Sequence, residues 1–284
     1  GLGIYAGYYG YYAAGTATGI FAAAQYGDTL VSNASSIEVE SFGAAVTGIN
    51  ATALYDVNVV NTGDITASSE YGYAVGINAA TSYVFDQYGY AVHIDGTTEV
   101  HNSGDITLNA PAAGFGKAVG ISATRERGEV LVGNSGDIEI YAGGRSYGID
   151  AFTKYGDVAV TNSGDITMLS HTDAQIGIQA TTGTFFYGGG DVSVINSGNI
   201  SVHSDYGFAN GIGAVAGSVL DPYGNSYIRN SGGIDVFGQY NAAGIQTRAS
   251  AGNATVINSG DVNVESAAVR YIYQPDQTVG IAAL

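Results

Sequence analysis

The phrase Asn-Ser-Gly-Asp-Ile, or a close variant, returns eight times along the chain, and this periodicity restricts the fold more than any other feature. Its asparagines fall at Asn33, Asn61, Asn102, Asn134, Asn162, Asn196, Asn230 and Asn258, with gaps of 28, 41, 32, 28, 34, 34 and 28 residues. A minimum unit of about 28 residues, lengthened in places by insertions, is the size of a stacked supersecondary repeat that buries a face only against its neighbours. The expectation is one elongated domain over residues 1–284, a solenoid in which function sits on a surface or in an insertion.

Each unit reads as three short strands, because apolar and polar residues alternate with period two in three segments. In the first, an isoleucine follows a glycine at Ile49, Ile77, Ile121, Ile149, Ile178, Ile212, Ile245 and Ile281, and a small residue comes two positions later. Between them lie mostly polar side chains such as Asn50, Asn78, Ser122, Asp150 and Gln179, as an outward position requires. The second segment runs to the asparagine, as in Val158-Ala159-Val160-Thr161-Asn162, and parity turns that asparagine inward with the valines. The third follows the Ser-Gly turn, as in Ile166-Thr167-Met168.

These strands predict an all-β fold, a right-handed parallel β-helix of about eight to nine coils with a rise of about 4.8 Å per coil. Buried asparagines one above another would form a hydrogen-bonded ladder and cap the turn. The glycine of each Ser-Gly turn, Gly63 to Gly260, is expected at positive φ. At the ends, Gly3-Ile4-Tyr5-Ala6 and Gly280-Ile281-Ala282-Ala283 both read as first-strand segments that leave an open edge. The N-terminus carries neither an initiator methionine nor a basic leader, so the chain reads as a processed piece of something longer.

Composition narrows the function classes. Eight basic against twenty-five acidic residues give a formal charge of −17, which opposes binding to nucleic acid or anionic lipid. There is no cysteine for disulfides or thiolate zinc sites, and no apolar run long enough for a membrane helix.

Candidate chemistry is sparse. Asp64, Asp105, Asp137, Asp165 and Asp261 form a column that invites calcium, but the expected role is for each carboxylate to cap its own turn; Asn199 and Gly233 interrupt the column. Acidic residues also open second strands at Asp56, Glu129, Asp157 and Asp191, often beside a tyrosine; these tyrosines are expected to lie over turns, with sugar stacking as the alternative. His93, His101, His171 and His203 fall in different coils without metal-site spacing. The few basic residues are scattered, and Arg125-Glu126-Arg127 reads as a polar turn. No residue is therefore assigned as catalytic, cofactor-binding or metal-binding. Four insertions remain as places for specificity: 81–97 with Phe85 to Tyr90, 183–190 with Phe185-Phe186-Tyr187, 215–226 with Asp221-Pro222-Tyr223, and 267–277.

The phrases Asn162-Ser163-Gly164-Asp165-Ile166, Ser146-Tyr147-Gly148-Ile149 and Gly156-Asp157-Val158 resemble the repeats of bacterial autotransporter passenger domains, over a span from about Gly19 to Ile281. The resemblance implies export, a cysteine-poor passenger, and a role in adhesion or surface display; the expectation is a non-enzymatic structural or adhesive solenoid at an extracellular or cell-surface location. The expected partners are a host or neighbouring-cell surface, glycan or protein, or copies of the chain itself through the helix ends. Stacking of copies end to end into a fibre is the alternative. A polysaccharide lyase or hydrolase would need a carboxylate cluster that the sequence does not display.

Overall fold

The computed structural model describes residues 2–6, 16–81, 84–85, 88, 91–92, 94–112, 116–171, 173–184, 187–218, 220, 223–267 and 278–284. Among them there is no helix; the chain is a β-solenoid with three strands per coil. One coil shows the plan: a first strand Ser146–Tyr155, a second Val158–Asn162 and a third Ile166–Ser170. The next coil repeats it at Gln175–Thr182, Val192–Asn196 and Ile200–Ser204. Each strand pairs in parallel with its equivalent one coil away, so that Ile149 lies beside Ile178, Asn162 beside Asn196 and Ile166 beside Ile200.

Register explains why each position keeps its residue type. Ile77, Ile121, Ile149, Ile178 and Ile212 are all fully buried and stack in one row, as do Ile65, Ile106 and Ile166 in another. Each such side chain contributes about 1.5–3 kcal/mol relative to exposure, and a single apolar cluster runs from Ala17 to Ile245. β-Branched residues suit these rows because their stiff side chains stand off the pleat without losing further freedom.

The buried asparagines form the expected ladder. Asn134 Nδ2 donates to Asn162 Oδ1 at 2.8 Å, and Asn162 Nδ2 donates to Asn196 Oδ1 at 2.8 Å. Each Nδ2 also donates to the carbonyl two residues on, a glycine in every rung but Asn33, as Asn162 does to Gly164 at 2.7 Å. The run is continuous from Asn33 to Asn258 despite insertions of different length between rungs.

Two expectations fail. The Ser-Gly glycines do not take positive φ; among described residues that conformation belongs to other glycines, including Gly156 at +138° in the turn between first and second strands and its stacked neighbour Gly128 at +105°. What forces glycine in the Ser-Gly turn is close approach between coils. A Cβ on Gly136 would lie 2.1 Å from the carbonyl oxygen of Gly104, and one on Gly164 2.0 Å from that of Gly136. The other correction concerns the N-terminal segment. Leu2–Ala6 pairs with Ile37–Ser41 and so joins the third-strand sheet, whereas Thr278–Ala283 does join the first-strand sheet beside Asn241–Ala249. Alternation places Leu2, Ile4 and Ala6 equally well on either sheet, and a lone Gly-Ile pair does not discriminate.

Candidate functional site

With the interior filled mainly by aliphatic rows and the asparagine ladder, the ionisable groups lie mostly on the outer surface and the turns. The aspartate column lies at the turn between second and third strands, and its carboxylates do not cap their own turns. Asp64, Asp105, Asp137 and Asp165 each accept the backbone N–H of the equivalent residue one coil further on: Asp105 N–H donates to Asp64 Oδ1 at 3.0 Å, Asp137 N–H to Asp105 at 2.9 Å and Asp165 N–H to Asp137 at 2.8 Å. Asn199 continues the run, since its N–H donates to Asp165 and its own Oδ1 accepts from Gly233 N–H at 2.9 Å. An amide supplies the same acceptor as a carboxylate, so Asn199 is not an interruption. Gly233, without a side chain, passes nothing on.

A second ladder of the same kind runs along the turn before the second strand. Asp28 accepts from Asp56 N–H, Asp56 from Thr97 N–H, Asp157 from Asp191 N–H and Asp191 from Asn225 N–H. A charge-assisted acceptor for an otherwise orphaned N–H, present in several coils, offsets the repulsion between stacked carboxylates. Among the described residues no group of three or more His, Cys, Asp or Glu is arranged to hold a metal ion.

The histidines are not independent. Coil stacking brings His171 and His203 onto one carboxylate: His171 Nδ1 contacts Asp205 Oδ2, and His203 Nε2 lies 2.9 Å from Asp205 Oδ1. The hydrogen bonds from these two rings hold the Asp205 carboxyl below its ordinary range. Tyr141 meets the His171 ring edge-on, and Phe237 stacks on His203 with centroids 4.5 Å apart. The cluster is exposed and pins neighbouring coils together. His101 bonds Glu99 at 2.8 Å, and His93 lies outside the described residues.

Arg125 overturns the reading of Arg125-Glu126-Arg127 as a turn. A continuous strand, Ala118–Asn134, carries the segment, and Arg125 is 2% exposed in an inward row where other coils place Thr153 or Thr182. Its guanidinium donates to the carbonyls of Tyr55 at 2.7 Å, Ile94 at 3.4 Å and Arg127. Burial lowers its pKa, while Asp56 and Asp95 act in the opposite sense. Nothing local in the sequence signals this role, because Tyr55 lies 70 residues away and Ile94 within the insertion at 81–97.

The described aromatic turn residues stand largely in solvent. Tyr26, Tyr71, Tyr88, Tyr187, Tyr206 and Tyr223 are all exposed, against the expectation that tyrosines lie flat over turns. That expectation fits Tyr155 better, half-buried with Arg127 4.9 Å and Lys154 5.2 Å from its ring centroid. Phe42 and Tyr71 meet edge to face at 5.2 Å on adjacent coils, and Tyr73 is exposed on the same turn as Tyr71. Insertion 81–97 contains a short antiparallel pair, Val84–Phe85 with Ala91–Val92. Of the other insertion residues named above, Asp86, Gln87, Gly89, Tyr90, Phe185, Phe186, Asp221, Pro222 and 268–277 lie outside the described residues.

On the outer face of the first-strand sheet, Asp150 is half-buried in the row of Asn78, Ser122 and Gln179. Burial raises its pKa, and Lys117 partly counters the rise. In the same row, Asn78 Nδ2 donates to Asn50 Oδ1 at 2.8 Å, a single amide rung outside the core. No helix of the described residues is long and apolar enough to cross a membrane. No family model, curated protein or solved structure matches the chain.

Proposed function

We propose that this chain is a non-enzymatic, extracellular structural and adhesive solenoid, of the kind carried by bacterial autotransporter passengers, that touches its partner through aromatic turns. One observation carries the reading: Phe42, Tyr71 and Tyr73 expose 57%, 60% and 55% of their surface at one edge of adjacent coils. Aromatic side chains clustered on a rigid frame cost little entropy when they meet another surface. The frame supplies the rigidity, since the hydrogen-bonding side chains at its turns are spent on neighbouring coils. The extracellular placement comes from the repeat resemblance.

The test is adhesion of protein-coated beads to cultured host cells and to bacterial lawns. Beads carrying the native chain should adhere, and the Phe42→Ser, Tyr71→Ser, Tyr73→Ser triple variant should lose most of that adhesion while melting at the native temperature. Equal adhesion of the variant would refute the aromatic edge. Filaments in electron micrographs, with a repeat matching one solenoid, would favour end-to-end assembly instead. Release of reducing or unsaturated sugar ends from polysaccharides would overturn the non-enzymatic reading.

A further inference from the structure

The first part of the chain lacks cations. Every Lys and Arg lies at or after Lys117, and the 116 residues before it carry ten carboxylates. The aromatic edge of Phe42, Tyr71 and Tyr73 stands in this stretch, so its surroundings differ from those of Tyr155, whose ring already has Arg127 and Lys154 against it.

Strand geometry arranges the nearest charges. In the third strand Ile37–Ser41, alternation buries Ile37 and Val39 and turns Glu38 and Glu40 to solvent, with Phe42 exposed just past the strand end. Residues two apart on a strand lie about 6.6–6.8 Å apart, so Glu38, Glu40 and Phe42 follow one another along one line. The next coil pairs in register, with Glu40 beside Ser68 and Ser41 beside Ser69. Pairing continues past the strand ends: Glu70 N–H donates to Ser41 O at 3.2 Å and Tyr71 N–H to Phe42 O at 3.1 Å. Glu70, itself exposed, is thereby set beside Phe42. None of the ion pairs among the described residues involves Glu38, Glu40 or Glu70. The Phe42 and Tyr71 rings, edge to face at 5.2 Å, still present more than half of their surface to solvent.

These neighbours decide what the edge accepts. A neutral surface closing over Phe42 and Tyr71 draws water away from Glu40 and Glu70 and returns nothing to the carboxylates, a cost that offsets the gain from the rings. An anionic partner meets the chain's charge of −17, and so does a second copy. A cation is favoured twice, by the carboxylates and by the negative face of an aromatic ring.

We propose that the edge binds a cationic segment of a partner polypeptide, laid along Glu38, Glu40 and Phe42 with Lys or Arg at alternate positions. Alternate residues of an extended peptide recur at the same spacing as those of the strand beneath it, so its cations fall on Glu38, on Glu40 and over the Phe42 ring in turn. The proposal rests on the aromatic-edge adhesin reading and names the chemical class of its partner.

The probe is a short peptide of alternating lysine and serine, titrated by calorimetry at about 20 mM and about 150 mM salt, with alternating glutamine and serine as its neutral counterpart. The lysine peptide should bind at low salt with a Kd of about 100 µM or tighter and about tenfold more weakly at the higher salt, and the glutamine peptide should not bind. The triple variant Glu38→Gln, Glu40→Gln, Glu70→Gln should weaken binding at least about tenfold. Glu129→Gln, Glu139→Gln, Glu265→Gln makes the same change in net charge at exposed sites elsewhere and should shift binding less than about twofold. Phe42→Ser, Tyr71→Ser, Tyr73→Ser keeps every charge and should weaken binding at least about fivefold. All of these side chains are exposed, so melting temperatures should stay near native. No binding of the lysine peptide overturns the proposal, as do equal losses in the two carboxylate triples, undiminished binding in the aromatic triple, or equal binding of the glutamine peptide. Bead adhesion that is lost in the aromatic triple but kept in the Glu38, Glu40 and Glu70 triple removes the cationic partner and leaves the aromatic edge standing. Adhesion kept in the aromatic triple removes the edge itself.

Discussion

Replacing Asn162 by alanine strikes the asparagine ladder in the middle of the solenoid, and its cost follows from the partners left behind. Asn162 is 1% exposed, donates to Gly164 O and Asn196 Oδ1, and accepts from Asn134 Nδ2. Alanine thus leaves two acceptors and one N–H unpaired in a site closed to solvent. At about 1–3 kcal/mol for each unsatisfied group, with some recovery by relaxation, the loss should be roughly 3–6 kcal/mol. Asn33 is the internal control. It donates to Ser35 O and Asn61 Oδ1 but is only half-buried, so water can replace its partners and Asn33→Ala should cost about 1 kcal/mol. Because a solenoid opens coil by coil, the measurement is native-state hydrogen exchange together with urea unfolding. Asn162→Ala should accelerate exchange in the coils carrying Asn134 and Asn196 and leave those near Asn33 unchanged. Equal effects of the two substitutions, or a loss below about 1 kcal/mol at Asn162, would refute the view that the ladder is stabilising because it is sealed.

Gly136→Ala places a methyl against the Gly104 carbonyl and should cost about 1–3 kcal/mol or more in thermal unfolding, whereas Gly27→Ala, with nothing within 4 Å, should be near neutral. Arg125→Met strips the caps from the Tyr55 and Ile94 carbonyls and leaves Asp56 and Asp95 without their nearby cation. Faster exchange localised around residues 94–97 is expected, with no rescue by lysine, whose single ammonium cannot span the same carbonyls. Asp150 has a folded pKa above its unfolded one, so the native state binds the extra proton and stability falls as pH rises between the two values. Asp150→Asn, the residue that this row already holds at Asn78, should therefore stabilise the chain by about 0.5–1 kcal/mol at neutral pH, and the gain should vanish near pH 3. A gain that persists in acid would place its origin in packing rather than charge. Asp205, held low by His171 and His203, contributes with the opposite sign. Its stabilisation is complete above the unfolded carboxylate pKa and lost as pH falls through the folded one, so native and Asp205→Asn should differ at neutral pH and converge in acid.

Strand parity, the inward asparagine and the apolar rows were legible in the amino-acid sequence because they depend on local alternation, which is the same in every coil whatever the length of the turns between. The direction of the aspartate hydrogen bonds, the reason for the Ser-Gly glycines, the burial of Arg125 and the meeting of His171 with His203 depended on tertiary structure. Each is a contact between coils, joining residues that lie far apart in sequence: 34 for His171 and Asp205, and 70 for Arg125 and Tyr55. Insertions of unequal length hide such pairs from any fixed spacing, while the ladder restores them to register every 4.8 Å or so. The aromatic edge follows the same rule. Phe42 and Glu70 belong to different coils, and only stacking sets an exposed ring beside a carboxylate.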